Sequence, residues 1–148
     1  MYNTILVPLD GSKRAEAILP HVEELATRYS ATVILMCVVE PVSFAIGYEP
    51  SYTALRDQFE RRTKGAESYL KGLQGVFREK GIQAQTSVVT GSVVEEIIQA
   101  AQREGADLIA LASHGRTGLS QVFYGSVAAG VLHRIDRPLL LIRSRDGE

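Results

Sequence analysis

Three glycines and a serine lie close together between residues 111 and 127, as Gly115, Gly118, Gly125 and Ser126. Glycine accepts positive φ angles and lets a ligand approach the backbone closely. The segment joins a predicted buried strand to a predicted helix. At such a junction the free N–H groups of the first helical turn and the helix dipole favour an anion. The spacing therefore predicts a phosphate site, while the alternative is that the glycines only make turns. Ser126 is expected to be the N-cap of the helix and a hydroxyl donor to a phosphate.

Strand and helix patterns alternate along the chain and would position this segment. The predicted strands are residues 4–7, 33–39, 85–89, 107–111 and 138–143. The predicted helices begin after Ser12, at about Tyr52, after Ser92 and at about Ser126, and the last three end near Lys80, Gly105 and Ile135. Alternation of this kind is typical of an α/β domain with a parallel sheet. We expect a single domain, residues 1–148, with an open parallel five-stranded sheet and helices on both faces, a Rossmann-like architecture.

Local signals refine the predicted helices. Pro20 lies inside the first apolar pattern and predicts a kink or a weak point. Ser92 and Glu95 have the spacing of a capping box. Gly65, Gly72 and Gly75 lie inside the long helix, and each costs roughly 1 kcal/mol relative to alanine. The apolar stripe of that helix is expected to comprise Leu55, Phe59, Arg62, Ala66, Tyr69, Leu70, Leu73, Val76 and Phe77. The prolines and glycine of residues 40–51 predict a long loop.

In sheets of this kind, ligands lie beyond the carboxyl ends of the strands, where the strand order reverses. Pro8, Leu9 and Asp10 end the first predicted strand, Val38 ends the second, and residues 112–115 follow the fourth. Asp10 is expected either to accept hydrogen bonds from a ribose or base, or to cap the following helix with Ser12. The sequence favours neither role.

Composition excludes several classes of function. The formal net charge of −1 gives no electrostatic support for binding nucleic acid or a membrane surface. Neither a signal peptide nor an apolar segment of spanning length is seen, so a cytoplasmic location is expected. The single cysteine, Cys37, is expected to be a core side chain. Ser113 and His114 are adjacent and would point to opposite faces of an extended chain, so they are not expected to form a catalytic pair.

The chain resembles the universal stress proteins, specifically the branch that binds ATP or AMP, over essentially its whole length. The family motif is Gly-x-x-Gly, nine residues, then Gly-Ser or Gly-Thr. Here Ala112 takes the place of the first glycine, Gly115 is the second, and Gly125 and Ser126 close the motif. The methyl group of Ala112 is expected either to crowd a ribose or to be tolerated where φ is negative.

The resemblance implies a fold of the adenine nucleotide α-hydrolase type, with Asp10 and Val38 near the adenine and ribose. The implied nucleotide-binding residues are Pro8, Asp10, Val38, Leu111, Ala112, His114, Gly115, Gly125, Ser126 and Val127. Mg²⁺ would arrive on a triphosphate, held by phosphate oxygens and water. The expected function is a stress-response regulator that binds nucleotide without catalysis. The alternatives are a slow ATPase or another nucleotide-using enzyme on this fold, and a dimeric scaffold that binds no nucleotide.

The last predicted strand also predicts assembly. Residues 138–142, from Pro138 to Ile142, are too apolar for a fully exposed edge, and such an edge invites pairing with another chain. The resemblance implies a homodimer in which these strands pair. Leu119, Val122, Phe123 and Tyr124 are expected either to add an apolar patch or to pack inward. The remaining alternative for residues 138–142 is a central strand of the same sheet, covered by the helices of its own subunit.

Overall fold

The structure, a computed structural model, describes residues 1–41, 51–115 and 125–145. The strands are β1 (Thr4–Leu9), β2 (Thr32–Val39), β3 (Ala84–Thr90), β4 (Leu108–Gly115) and β5 (Leu139–Arg145). The helices are α1 (Leu19–Tyr29), α2 (Tyr52–Glu79), α3 (Val93–Arg103) and α4 (Ser126–Arg134). A single 3-10 turn, Ala15–Ile18, precedes α1. Within the described ranges, no helix combines the length and the apolar character that crossing a membrane requires.

The five strands form one parallel sheet in the order β3-β2-β1-β4-β5. Leu6 of β1 pairs with Ile34 of β2 on one side and with Ile109 of β4 on the other. The chain therefore builds outward from β1 in one direction and then, after β3, returns to the other side of β1 to add β4 and β5. The predicted open parallel sheet is confirmed, and its strand order reverses between β1 and β4.

Helices cover both faces of the sheet. One apolar cluster joins Val7 and Leu35 to side chains of α1 and α2, including the fully buried Leu70 and Phe77. The other joins Leu6 and its neighbours to side chains of α3 and α4, including Ile97 and Val131. Burying each large side chain contributes roughly 1.5–3 kcal/mol, so the two-sided coverage supplies most of the driving force for this fold.

The beginning of the first helix differs from the prediction. Residues 15–18 form the 3-10 turn, and the α-helix begins only at Leu19. Pro20 therefore lies in the first turn of α1, where its missing N–H has no intrahelical acceptor to lose, and it does not kink the helix. Ser12 is not the N-cap, which is Arg14 for the 3-10 turn and Ile18 for α1, but its hydroxyl oxygen accepts the N–H of Ala15 at 3.1 Å and supports the turn.

The long helix begins and ends close to its predicted bounds. The hydroxyl of Ser51 caps its first turn by accepting the N–H of Ala54 at 3.1 Å. Gly81, at φ +77°, ends it, which confirms the predicted stop. Val76 was assigned to the apolar stripe, but it is 43% exposed.

The predicted capping box at α3 is wrong. Ser92 is the N-cap, but its side chain makes no capping hydrogen bond. The carboxylate of Glu95 instead contacts Arg134 of α4 at 2.6 Å and accepts a hydrogen bond from Gln99. The bond from Arg134 is the main cause that lowers the pKa of Glu95. Arg134 of α4 thus binds the Glu95 carboxylate, which in a capping box would accept the backbone N–H of Ser92.

Candidate functional site

A cavity of about 630 Å³ opens at the carboxyl ends of β1, β2 and β4. This is where the strand order reverses between β1 and β4. Its volume lies within the range of small-molecule sites in proteins, and its position is the one at which α/β sheets bind ligands. The cavity is therefore the candidate site among the residues that the structure describes.

Most of the predicted site residues surround this cavity. Those that line it are Pro8, Asp10, Val38, Leu111, Ala112 and Val127. Gly125 and Ser126 do not line it, but they directly precede Val127 at the start of α4. His114 and Gly115 are the last two residues of β4. Gly118 and the apolar residues Leu119, Val122, Phe123 and Tyr124 lie outside the described residues. Three separate stretches of sequence thus meet at the carboxyl ends of the strands.

Asp10 is exposed and is held by its own chain. Its Oδ1 accepts the backbone N–H of Ser12 at 2.9 Å and the Ser12 hydroxyl at 2.6 Å. Because Ser12 in turn supports the 3-10 turn, Asp10 supports the helix entry indirectly. The bonds to Ser12 therefore hold the carboxylate of Asp10 at the rim of the cavity. The role toward a ribose or base stays a prediction.

The glycine motif begins inside a strand, contrary to the prediction. β4 continues past Leu111 to Gly115, so residues 112–115 are paired with β5 and do not form a loop. Ala112 pairs with Ile142, and its φ is not positive. An extended strand residue tolerates a methyl group without backbone strain. The structure therefore satisfies the backbone condition under which alanine can replace the motif glycine.

The start of α4 also differs from the prediction. Gly125, at φ +82° and ψ +153°, is the N-cap, and Ser126 is the first helical residue. Among the described residues no side chain caps this end, although the carbonyl of Gly125 accepts the N–H of Ala129. The N–H groups of the first turn have no acceptor within the helix. A backbone that only glycine adopts easily thus leads into the helix start next to the cavity.

One wall of the cavity was not predicted as part of the site. Four residues of α2 form it, and they are Arg62, Gly65, Ala66 and Tyr69. Their spacing of three, four and seven residues places them on one face of the helix. Arg62 Nη1 donates a hydrogen bond to the carbonyl oxygen of Glu40 at 3.1 Å and so joins α2 to the end of β2. The sequence signal was present, but its spacing is also that of a helix packed on a core.

Two titratable side chains in the cavity wall are held neutral. The Tyr69 hydroxyl donates to Oε2 of Glu16 at 2.7 Å. Burial and this bond raise the pKa of Tyr69 far above its ordinary value. Burial, with a smaller contribution from the charge of Asp10, raises the pKa of the Cys37 thiol to about 11. Cys37 is only 6% exposed, so the prediction that it is a core side chain is confirmed.

Ser113 is a buried polar residue near the carboxyl end of β4. It is 2% exposed, and its hydroxyl has no hydrogen-bond partner among residues 1–41, 51–115 and 125–145. Ser113 and His114 are consecutive residues of β4 that pair with Arg143 and Ser144 of β5. In the same described ranges, no three His, Cys, Asp or Glu side chains are grouped as metal ligands would be.

Known proteins that are similar to this chain share its fold and belong to one family. The sequence profile of the universal stress protein family matches residues 1–143. A universal stress protein of Thermus aquaticus is 33% identical, over 97% of this chain and 100% of its own length. Universal stress protein MJ0577 of Methanocaldococcus jannaschii is 27% identical over 99% and 98% of the two chains. The solved structure of MJ0577 superposes with a TM-score of 0.85, at 28% identity over 99% of each chain.

A more distant structure has the same fold and contains a ligand. The universal stress protein family member At3g01520 of Arabidopsis thaliana, solved with AMP bound, is 18% identical and superposes with a TM-score of 0.69. The superposition covers 97% of this chain and 93% of that one. The chain is a member of the universal stress protein family.

Proposed function

We propose that this protein is a stress-response regulator that binds an adenine nucleotide, ATP or AMP, in the cavity between β1 and β4. The observation that carries the proposal is the junction of that cavity with the start of α4, which no side chain of the described residues caps. A cavity of nucleotide size beside a helix N-terminus provides a pocket for the base and sugar and free N–H groups for phosphate. Solved relatives with AMP, cAMP and dAMP support the adenine nucleotide as the ligand class.

Charge and polarity favour one orientation of the nucleotide. Asp10 and Glu40 line the end of the cavity formed by β1 and β2, where their carboxylates would repel phosphates. Val127, in the first turn of α4, also lines the cavity, and α4 packs against β4. The phosphates are therefore proposed to bind at α4, and the base and ribose near Val38 and Asp10. Because Oδ1 of Asp10 is engaged by Ser12, Oδ2 is the oxygen that would accept a ribose hydroxyl.

Binding without turnover is the second part of the proposal. Fast phosphoryl transfer requires a nucleophile and a metal ion positioned by dedicated side chains. Asp10 and Glu40 are the described acids that line the cavity, and the carboxylate of Asp10 already organises the helix entry through Ser12. Mg²⁺ would enter with a triphosphate and be held by its oxygens and water. The cytoplasmic location and the absence of nucleic-acid binding stay predictions.

The ligand can be identified directly. Protein purified under native conditions is denatured, and the released small molecules are separated by chromatography. ATP or AMP at close to one equivalent is expected. Protein that releases no nucleotide and binds neither ATP nor AMP in calorimetry would contradict the proposal. Steady conversion of added ATP to ADP would support the enzymatic alternative.

A homodimer through β5 is the third part of the proposal. β5 lies at one edge of the sheet, and its apolar residues Leu139–Ile142 are only half-buried within the chain. A two-fold axis would pair this edge with its own copy in antiparallel fashion. Light scattering should give twice the chain mass, and Leu140→Arg or Leu141→Arg should give monomers. Val88→Arg, on the opposite edge strand β3, is the matched control and should stay dimeric. A monomeric wild type would overturn the dimer.

A further inference from the structure

The α2 wall of the cavity is formed by Arg62, Gly65, Ala66 and Tyr69, and α2 packs over β2 and β3 whereas α4 packs against β4. Leu9, Cys37 and Val38, at the carboxyl ends of β1 and β2, line the same cavity. These side chains are apolar or, for the Cys37 thiol, held neutral because burial raises its pKa. A flat, weakly polar ring is the part of a nucleotide that suits such surroundings, whereas a phosphate is not.

Gly65 leaves open space in this wall. A Cβ built at Gly65 would meet no heavy atom within 4 Å. Gly72 and Gly75, elsewhere on α2, are equally open, but neither lines the cavity. The open space beside Gly65 therefore adjoins the cavity, while the space beside the other two does not. All three glycines destabilise the helix by a similar amount. Gly65 differs from Gly72 and Gly75 because it lines the cavity.

Contacts on each side of Gly65 fix the separation of the two walls. One turn earlier, Arg62 bonds to the carbonyl of Glu40 and ties α2 to β2. One turn later, the Tyr69 hydroxyl bonds to Glu16 in the 3-10 turn and ties α2 to the entry of α1. A helix held at two such points cannot easily move away to admit a larger side chain. The width of the slot at Gly65 is thus set by the fold.

We propose that Gly65 is the residue that sets the size of the base accepted at this site, with α2 as the selecting wall. The missing side chain leaves room for the two fused rings of a purine. This inference rests on the proposed nucleotide binding and adds a determinant of which base is bound. Arg62 and Tyr69 are positioning residues in this arrangement, since they hold α2 in place.

The test is a graded series at Gly65 with the same series at Gly72 as the matched control. Alanine, leucine and phenylalanine are placed at each position, and helix content is checked by circular dichroism. The affinities for ATP and CTP are then measured by calorimetry. Gly65→Leu should weaken ATP binding roughly tenfold or more, since a side chain of that size competes with part of the base. Gly65→Phe should weaken it further, and the Gly72 variants should bind as the wild type does.

Base preference separates size selection from general damage. If Gly65 selects by size, Gly65→Leu should reduce the ratio of ATP to CTP affinity, because the larger base is excluded first. Equal affinities for ATP in the folded Gly65→Leu, Gly65→Phe and Gly72→Leu variants would overturn this inference while leaving nucleotide binding intact. A wild type that binds neither ATP nor CTP would overturn the proposed function, and this inference with it.

Discussion

The two ends of the sheet in this protein are built differently. At the amino ends of the strands, the side chains satisfy backbone groups. The carboxylate of Asp107 accepts the N–H groups of Asn3 and Thr4 at 2.8 and 3.1 Å. Arg137 donates to the carbonyls of Ala101 and Ala106 at 2.7 and 2.9 Å. These bonds tie the start of β1 to the start of β4, and α3 to the start of β5, and we call this part of the amino end the closed end.

The carboxyl ends leave polar groups and space available. They carry the 630 Å³ cavity, the start of α4, which no described side chain caps, and the buried Ser113 hydroxyl, which has no partner in the described part of the chain. An unsatisfied buried polar group costs free energy, and so does an open cavity. Polar side chains bond to the backbone at both ends, but the cavity between β1 and β4 lies at the carboxyl end, and the proposed ligand would fill it.

The largest expected effect comes from comparing two glycines at positive φ, one near each end of the sheet. Gly125→Val, at φ +82°, should abolish ATP binding, because the side chain strains the backbone and blocks the approach of phosphate to α4. Gly105→Val, at φ +62° after α3, should lower stability in a similar way and leave binding unchanged. Calorimetry and thermal unfolding measure both. Unchanged ATP affinity in a folded Gly125→Val variant would remove the phosphate site from α4.

A stabilising contact at the closed end should give the opposite pattern. Arg137→Ala removes two hydrogen bonds to backbone carbonyls, and it should lower the free energy of unfolding by roughly 1–3 kcal/mol while ATP affinity stays the same. The control is Arg103→Ala, whose side chain is 49% exposed and pairs with Glu104 at 3.5 Å. That change should cost roughly 0–1 kcal/mol. A clear loss of ATP affinity in Arg137→Ala would show that the two ends are coupled.

Alkaline pH should act on the cavity end through Cys37. Its thiol has a pKa raised from 9.0 to about 11 in the folded protein. The unfolded chain therefore releases this proton first as the pH rises, and the stability that Cys37 contributes is lost between pH 9.0 and about 11. Urea unfolding through this interval should show a steeper loss for the wild type than for Cys37→Ala. ATP should also slow alkylation of Cys37, since the residue lines the cavity. Parallel pH curves for the two proteins would contradict the buried thiol.

The smallest expected effect is at Ala112. Because this residue is extended and paired within β4, glycine at this position should change ATP affinity little or tighten it. Calorimetry on Ala112→Gly measures the change, and thermal unfolding confirms that the variant is folded. Clear weakening in a folded variant would show that the methyl group makes a favourable contact with the nucleotide.

Much of the fold could be predicted because each element has its own local pattern. The continuous apolar run of β2 and the glycines that end α2 and α3 are signals that neighbouring residues carry. The errors have two causes, a partner on a distant element and an adjacent turn. Glu95 has the spacing of a cap but binds Arg134 on another helix. Pro20 falls within a helical period, yet a 3-10 turn before it makes it a first-turn residue.

The site was predictable in part for the same reason. Strand ends are local, so Pro8, Val38 and Ala112 could be placed at one edge of the sheet before the structure was known. The α2 wall could not, because Gly65 and Arg62 reach the cavity only through the way α2 packs across β2 and β3. A periodic face on a helix does not say whether its residues meet a core, a cavity or solvent.

The most direct test of the difference between the two ends is an NMR titration of the labelled protein with ATP, in which backbone amide shifts are followed. The proposed site predicts saturable shifts at the carboxyl ends of the strands and the start of α4, including Val38, Ala112 and Val127. The amides of Asn3, Thr4 and Asp107 at the closed end should not move. Shifts confined to the closed end, or no saturable shift at any amide, would contradict nucleotide binding in this cavity.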